Sequence, residues 1–504
     1  MARESPGEAA GRARRRHDGG TARARFAWGA VVVGCALAGS LAAVAGESSG
    51  ARGLASLDPR LGPFIEAKEA QARELAKSLE LKVPPDYWKA FELFRGGDWP
   101  AATNCFHRFS QAWAEQPRDT ASQKGLLGAL VRGLDAMSKA PYRPVMASPL
   151  RQPLAEVEMA CEHFENGEPK YARAFGDDII ASIPKGSIYF GGTDPGRGLV
   201  TALVKSHVNG DPFFVLTQNQ LADLNYLVYL RAMFGKKLYL PSREDSARCF
   251  QEYLADAQKR MEEGQLKPGE EVKMVTDDDG RQRVQVSPSQ TAVMAINGLL
   301  AKVIFDKNPA RECYLEESFP LDWMYPYLEP HGLILKLERA PMDELPAEAV
   351  RKDHDYWKEY FGRLLGDWLG DETSVRAVCE TAERIYLRHD LGGFKGDPSF
   401  VRSDDAQKSY SKLRSGIGGV YAWRWQNSSS AAERKRLLPA ADLAFRQALA
   451  LCPYSPEAVY RYVNLLLQVN RNADALLVAE TALKFSPDDP YLKDLMQKVK
   501  NLQE

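Results

Sequence analysis

Near the C-terminus, Ala441, Ala448 and Pro453 return 34 positions later as Ala475, Ala482 and Pro487. A fixed period of that length constrains the fold more than composition does. Each unit is a helix–turn–helix that cannot bury its apolar face alone, so successive copies must stack. The two alanines of each copy stand where neighbouring helices cross most closely, and a larger side chain there would push them apart. Phe445 belongs to the same packing set, and each proline ends a helix shortly after its last alanine.

These residues resemble the tetratricopeptide repeat, whose arrays commonly hold a peptide or a partner protein. Gly418-x-x-Tyr421 fits the helix preceding the first copy. Two departures stand out. About eleven extra residues, including Asn427-Ser-Ser-Ser430, separate the paired helices where a tight turn is expected, and Ala479 replaces the usual aromatic. The reading is two degenerate repeats plus a terminal helix at 489–502, leaning on residues 346–425 for burial. Gly97-Asp98-Trp99 with Ala102 and Phe106 is a fainter match, equally readable as an ordinary helical hairpin.

The 504 residues suffice for several domains. With 66 basic against 67 acidic residues, no global field recruits nucleic acid. Seven scattered cysteines without a Cys-x-x-Cys pair give no support to a zinc or thioredoxin-type centre. Disulfides among the six beyond Cys35 are compatible with an exported body. Neither a metal nor a cofactor is expected.

Residues 1–25 carry seven arginines against three acids and read as a basic cytoplasmic arm. The run 26–46 is uncharged and long enough to cross a bilayer, with arginines before it and Glu47 after it. That places the body across the membrane. Ala43-Val44-Ala45 also fits a cleavage site, so a transmembrane anchor and a signal peptide both stand.

The predicted fold class is α/β plus all-α. After a linker at 47–62 and a helical segment at 63–170, residues 171–340 alternate strands and helices with Gly/Pro turns. Strands are expected at 186–190, 213–217, 237–240, 311–315 and 332–337, which argues for a central, mostly parallel sheet. A hairpin is expected around Asp279-Gly280, where Asp277, Asp278 and Asp279 lack the ligand spacing of a calcium loop. A helical connector (341–402) leads to the repeats (403–504).

The main ligand-site candidate is the turn Gly191-Gly192-Thr193-Asp194-Pro195-Gly196-Arg197-Gly198, between a strand end and a helix start. There helix N–H groups face an anion in many α/β proteins. The turn fits neither a dinucleotide fingerprint nor a Walker loop, and it also reads as a tight turn with Asp194 capping the helix. His354, between Asp353 and Asp355, and His389, beside Asp390, read as solvated helix positions. Gly-x-Ser-x-Gly is absent, and no catalytic residue is assigned.

Pro184–Phe190 with its Gly/Asp turn, Pro212–Thr217 with Leu224-x-x-Leu227, Asn308–Leu315, and Tyr327-Leu328 with Gly332-Leu-Ile-Leu form an ordered set. Together they resemble the soluble α/β region of multispanning, glycosyltransferase-like bacterial envelope proteins that also carry tetratricopeptide repeats. The multispanning part, where that family's transferase chemistry would sit, has no counterpart here. No catalytic residue carries over from the resemblance; the 34-residue repeat, the uncharged run 26–46 and the lack of a catalytic constellation lead to the expectation of a non-catalytic, membrane-anchored binding protein. Its alternative is an envelope transferase taking a sugar phosphate or nucleotide at 191–198.

Overall fold

A computed structural model describes residues 57–114, 148–267, 270–276, 282–287, 289–317 and 320–502. The basic arm, the uncharged run 26–46 and the Asp277–Gly280 loop lie outside the described residues. Among the described residues, no helix is long and apolar enough to cross a membrane.

Three helices open the described chain: α1 (Leu61–Ser78), α2 (Pro85–Gly96) and α3 (Trp99–Ala114). Gly97 ends α2 in the left-handed conformation, at φ 78°. Trp99 then folds back onto Phe94, with ring centroids 6.4 Å apart, and Ala102 is fully buried between them. The piece around 97–106 is thus a helical hairpin. Helices α4 (Arg151–Asn166) and α5 (Pro169–Ser182) lead into the sheet domain.

There, β1 (Ile188–Gly191) passes through α6 (Asp194–Leu203) to β2 (Phe214–Thr217). Helices α7 (Leu224–Phe234) and α8 (Arg243–Glu262) follow, then a ribbon of β3 (Val272–Thr276) and β4 (Gln282–Val286), and α9 (Gln290–Lys307). Strands β5 (Cys313–Glu316), β6 (Leu328–His331) and β7 (Ile334–Leu337) complete the domain. The main sheet runs β2-β1-β5-β7-β6. Every residue of β1, β2 and β5 is buried, as near-continuous apolar strands covered on both faces should be.

The sheet is mixed rather than mostly parallel. β1 pairs parallel with β2 and β5, but β7 pairs antiparallel with both β5 and β6. The cause is a hairpin that the sequence reading missed. The aromatic stretch ends in a 3-10 turn (Asp322–Tyr327) and enters β6. Gly332, at φ 63°, then reverses the chain in two residues. Pro330 is tolerated because β6 is the edge.

The strand expected at 237–240 does not form. Asn308 substitutes for a ladder partner: its Nδ2 donates to the Tyr239 carbonyl at 3.0 Å, and its Oδ1 accepts from the Tyr239 N–H at 2.9 Å.

Beyond the sheet come α10 (Ala347–Leu365), α11 (Val375–Ala382), which continues through a π turn (Glu383–Leu387), and α12 (Pro398–Val401). Then follow α13 (Asp404–Asn427), α14 (Ala431–Leu451), α15 (Pro456–Gln468), α16 (Asn472–Phe485) and α17 (Pro490–Asn501). The break between the paired helices falls at Asn427-Ser-Ser-Ser430. Only residues 428–430 separate α13 from α14, and the surplus lengthens both arms of the hairpin. The six cysteines from Cys105 to Cys452 are buried free thiols, so none of them forms a disulfide.

The N-terminal helices are tied to the sheet domain by buried charge. Lys68 of α1, wholly buried, pairs with Glu156 of α4 and donates to the Tyr229 hydroxyl at 2.7 Å, which donates to Glu156 at 2.7 Å. Burial works against the Glu156 charge, but Lys68 and His207 hold its carboxyl down at about 2. Removing one member of such a pair strands the other charge in the interior. Lys68→Ala is therefore expected to cost about 3–5 kcal/mol in urea unfolding. The double variant Lys68→Met/Glu156→Leu should regain most of that loss.

Candidate functional site

β1 is where the strand order reverses: its own crossover leads to β2, while β5 pairs on its other side. The crevice at the carboxyl ends of such strands is where open α/β sheets place ligands. The 191–198 turn lies at that point. Thr193, not Asp194, caps α6, its hydroxyl accepting from the Gly196 N–H at 3.2 Å. Asp194 is exposed and paired with Arg197. Burial pushes its carboxyl up, but the Arg197 charge and hydrogen bond prevail and hold it below the usual carboxylate range.

The amide groups of the turn already face an anion that belongs to the chain. Glu316, the last residue of β5, is fully buried. Its carboxylate accepts from the N–H of Gly192 at 3.2 Å, the N–H of Thr193 at 3.1 Å and the Thr193 hydroxyl at 2.5 Å. The glycines are shaped around it. A Cβ on Gly196 would stand 1.7 Å from Glu316 Oε2, and one on Gly192 would stand 2.0 Å from Glu317 Oε2. A Cβ on Gly191 would meet the Arg197 backbone at 3.1 Å. Burial raises the Glu316 carboxyl to about 7, against the Thr193 hydrogen bond and with the charge of Glu317 adding to the shift. Asn219 bridges the Gly192 carbonyl and Glu317, each at 3.2 Å.

Helix α13 runs along this side of the sheet, with Lys412 toward the Glu316 end and Arg424 toward the start of β6, and α15 packs beside it. Arg424 of α13 donates to the Pro326 carbonyl at 2.8 Å, and Trp423 stacks on Tyr325 with centroids 5.3 Å apart. Lys412, also on α13, lies 3.6 Å from Glu457 of α15. Burial works against its charge, yet Glu457, Asp194, Glu316 and Glu317 together hold its ammonium above the usual range. Arg461 of α15 is buried in the same seam, within the field of Tyr325 and Glu317.

The repeat residues fall on equivalent helices. Ala441, Phe445 and Ala448 lie on α14, Ala475 and Ala482 on α16, and all five are fully buried. Gly418 is required where α13 crosses α14, since a Cβ there would stand 2.8 Å from the Phe445 ring. Pro453 is buried after α14, whereas Pro487 is exposed after α16, where only α17 follows.

A second concavity lies between α10 and the repeat, a cleft of about 650 Å³. Val350, Leu438, Pro439, Leu443, Leu465 and Val469 supply apolar lining, with Arg351, Arg414, Arg436, Arg446 and Arg471 around them. Arg414 is wholly buried against Asp353, at 2.8 Å. Arg446 clamps the carbonyls of Gly370, Asp371 and Thr373. Asp353 points inward while its neighbour His354 faces the cleft, 3.6 Å from Asp371; His389 is exposed elsewhere. Among the described residues no group of His, Cys, Asp and Glu is arranged to hold a metal.

The sequence reading did not single out Glu316, Glu317, Lys412 or the cleft arginines. The paired acids at the end of an apolar strand were the one visible signal; the arginines come from three separate helices and the turn before α16.

Gly196→Ala should destabilise the protein by about 1–3 kcal/mol, through overpacking against Glu316. Gly96→Ala, with open space around its Cβ position, should be neutral or mildly stabilising in the same thermal melts. A carboxyl raised in the folded state binds more protons than it does unfolded, so its contribution to stability falls as pH rises from about 4.5 through 7. Glu316→Gln should flatten that stretch of the stability–pH curve by up to about 3 kcal/mol. An unchanged slope would count against a titrating Glu316.

Residues 439–499 match the family model of the tetratricopeptide repeat. No curated protein and no solved structure matches the chain.

Proposed function

We propose that the chain is a membrane-tethered scaffold that holds a protein or peptide partner through its C-terminal helical half, with its body outside the cytoplasm and no chemistry of its own. The observation that carries this reading is the cleft of about 650 Å³ beside a segment matching a repeat that commonly mediates protein association. The tether rests on the arginine-rich arm followed by the uncharged run 26–46.

A second reading, a transferase-like site at 191–198 for a sugar phosphate or nucleotide, draws on the switch-point location and a buried carboxyl titrating near neutrality. Against it stands Glu316, which already occupies the N–H groups a phosphate would use.

Ala440 lies at the cleft and is only partly buried, so Ala440→Trp fills the cleft without entering the core. Partner recovery by cross-linking from native membranes should fall at least about tenfold, with the melting temperature unchanged. Recovery equal to wild type would move the binding surface elsewhere.

A further inference from the structure

We infer that the occupant of the α10–repeat cleft is an acidic peptide segment with an apolar anchor, a claim that rests on the scaffold reading above. The lining divides by chemistry. Leu438, Leu443, Leu465 and Val469 give apolar surface to a side chain, and five arginines against three aspartates leave the cleft net positive. Two of those arginines are structural, Arg414 held by Asp353 and Arg446 by backbone carbonyls.

Three others border the cleft. Arg351 is 69% exposed, with Glu348 of its own helix beside it. Arg471 is 39% exposed and pairs with both Asp442 and Asp474. Arg436 donates through Nη2 to the Leu345 carbonyl, yet its Nε is buried with no partner. A carboxylate is the best complement of an exposed guanidinium such as that of Arg351. Pro439, inside α14, adds apolar surface along the same wall.

Charge also argues against an occupant from within the chain: residues 1–25, the N-terminal arm, carry seven arginines against three acids and would be repelled.

The test uses the full chain and two fluorescein-labelled dodecapeptides, one alternating leucine with glutamate and the other leucine with lysine, read by anisotropy. The acidic peptide should bind at least about tenfold more tightly, and more weakly as salt rises. Arg351→Gln, at an exposed position, should weaken that preference with the melting temperature unchanged, and Arg351→Gln/Arg436→Gln should remove it at some cost in stability. Ala440→Trp should abolish binding of either peptide.

Equal binding of both peptides, still blocked by Ala440→Trp, would overturn the acidic preference while leaving the scaffold reading intact. Binding of neither peptide, together with partner recovery indifferent to Ala440→Trp, would overturn both. Self-association in sedimentation that Ala440→Trp abolishes would replace the acidic peptide with a second copy of the chain.

Discussion

Helix α13 is buried on most of its sides although much of its sequence is polar, and the C-terminal half of the molecule depends on how that conflict is resolved. Burying a polar group without a partner costs several times what a typical hydrogen bond contributes, so each such group on α13 must find one. Gln407 donates to the carbonyls of Phe400 and Val401, Ser411 to that of Ala448, and Arg414 to Asp353 and Gln447. Tyr421 also reaches Asp353, and Arg424 reaches the carbonyls of Met342 and Pro326. The partners come from the connector, the sheet domain and the next repeat helix. Satisfying one helix therefore fixes the position of three neighbours.

The sheet edge shows the same economy. Glycine-rich turns at strand ends are commonly read as cradles for an external anion, because their N–H groups converge. Here β5 supplies the anion as a side chain, and the turn closes on it. Glu316 serves as an internal stand-in for a ligand, held at a protonation balance that burial sets near neutrality. The geometry that suggests a binding loop also suffices to lock β1 against β5.

Much of the architecture was legible because it rests on local rules. The 34-residue recurrence located α14 and α16, and Gly418 signalled the close crossing that Phe445 confirms. Strands β1, β2, β5 and β7 followed from buried apolar runs between glycine and proline turns. What was not legible depended on distant partners. The strand at 237–240 gave way to a side-chain amide 69 residues away in sequence. The β6–β7 hairpin was hidden because aromatic residues with a proline do not alternate as a strand should. The cleft arginines carry no local signature at all; only tertiary structure brings them together.

The seam between α13, α15 and the sheet edge bears on what counts as a separable part. Solenoid arrays generally present one curved surface to the outside, and a repeat can be added or lost at the end like a bead. Here the surfaces of α13 and α15 that meet the sheet are spent on the chain's own Tyr325, Glu316 and Glu317, with Lys412 and Arg461 between them. The 439–499 segment is less a module than a buttress. Removing or swapping the repeat would uncover the seam where Lys412 and Arg461 meet Tyr325 and Glu317.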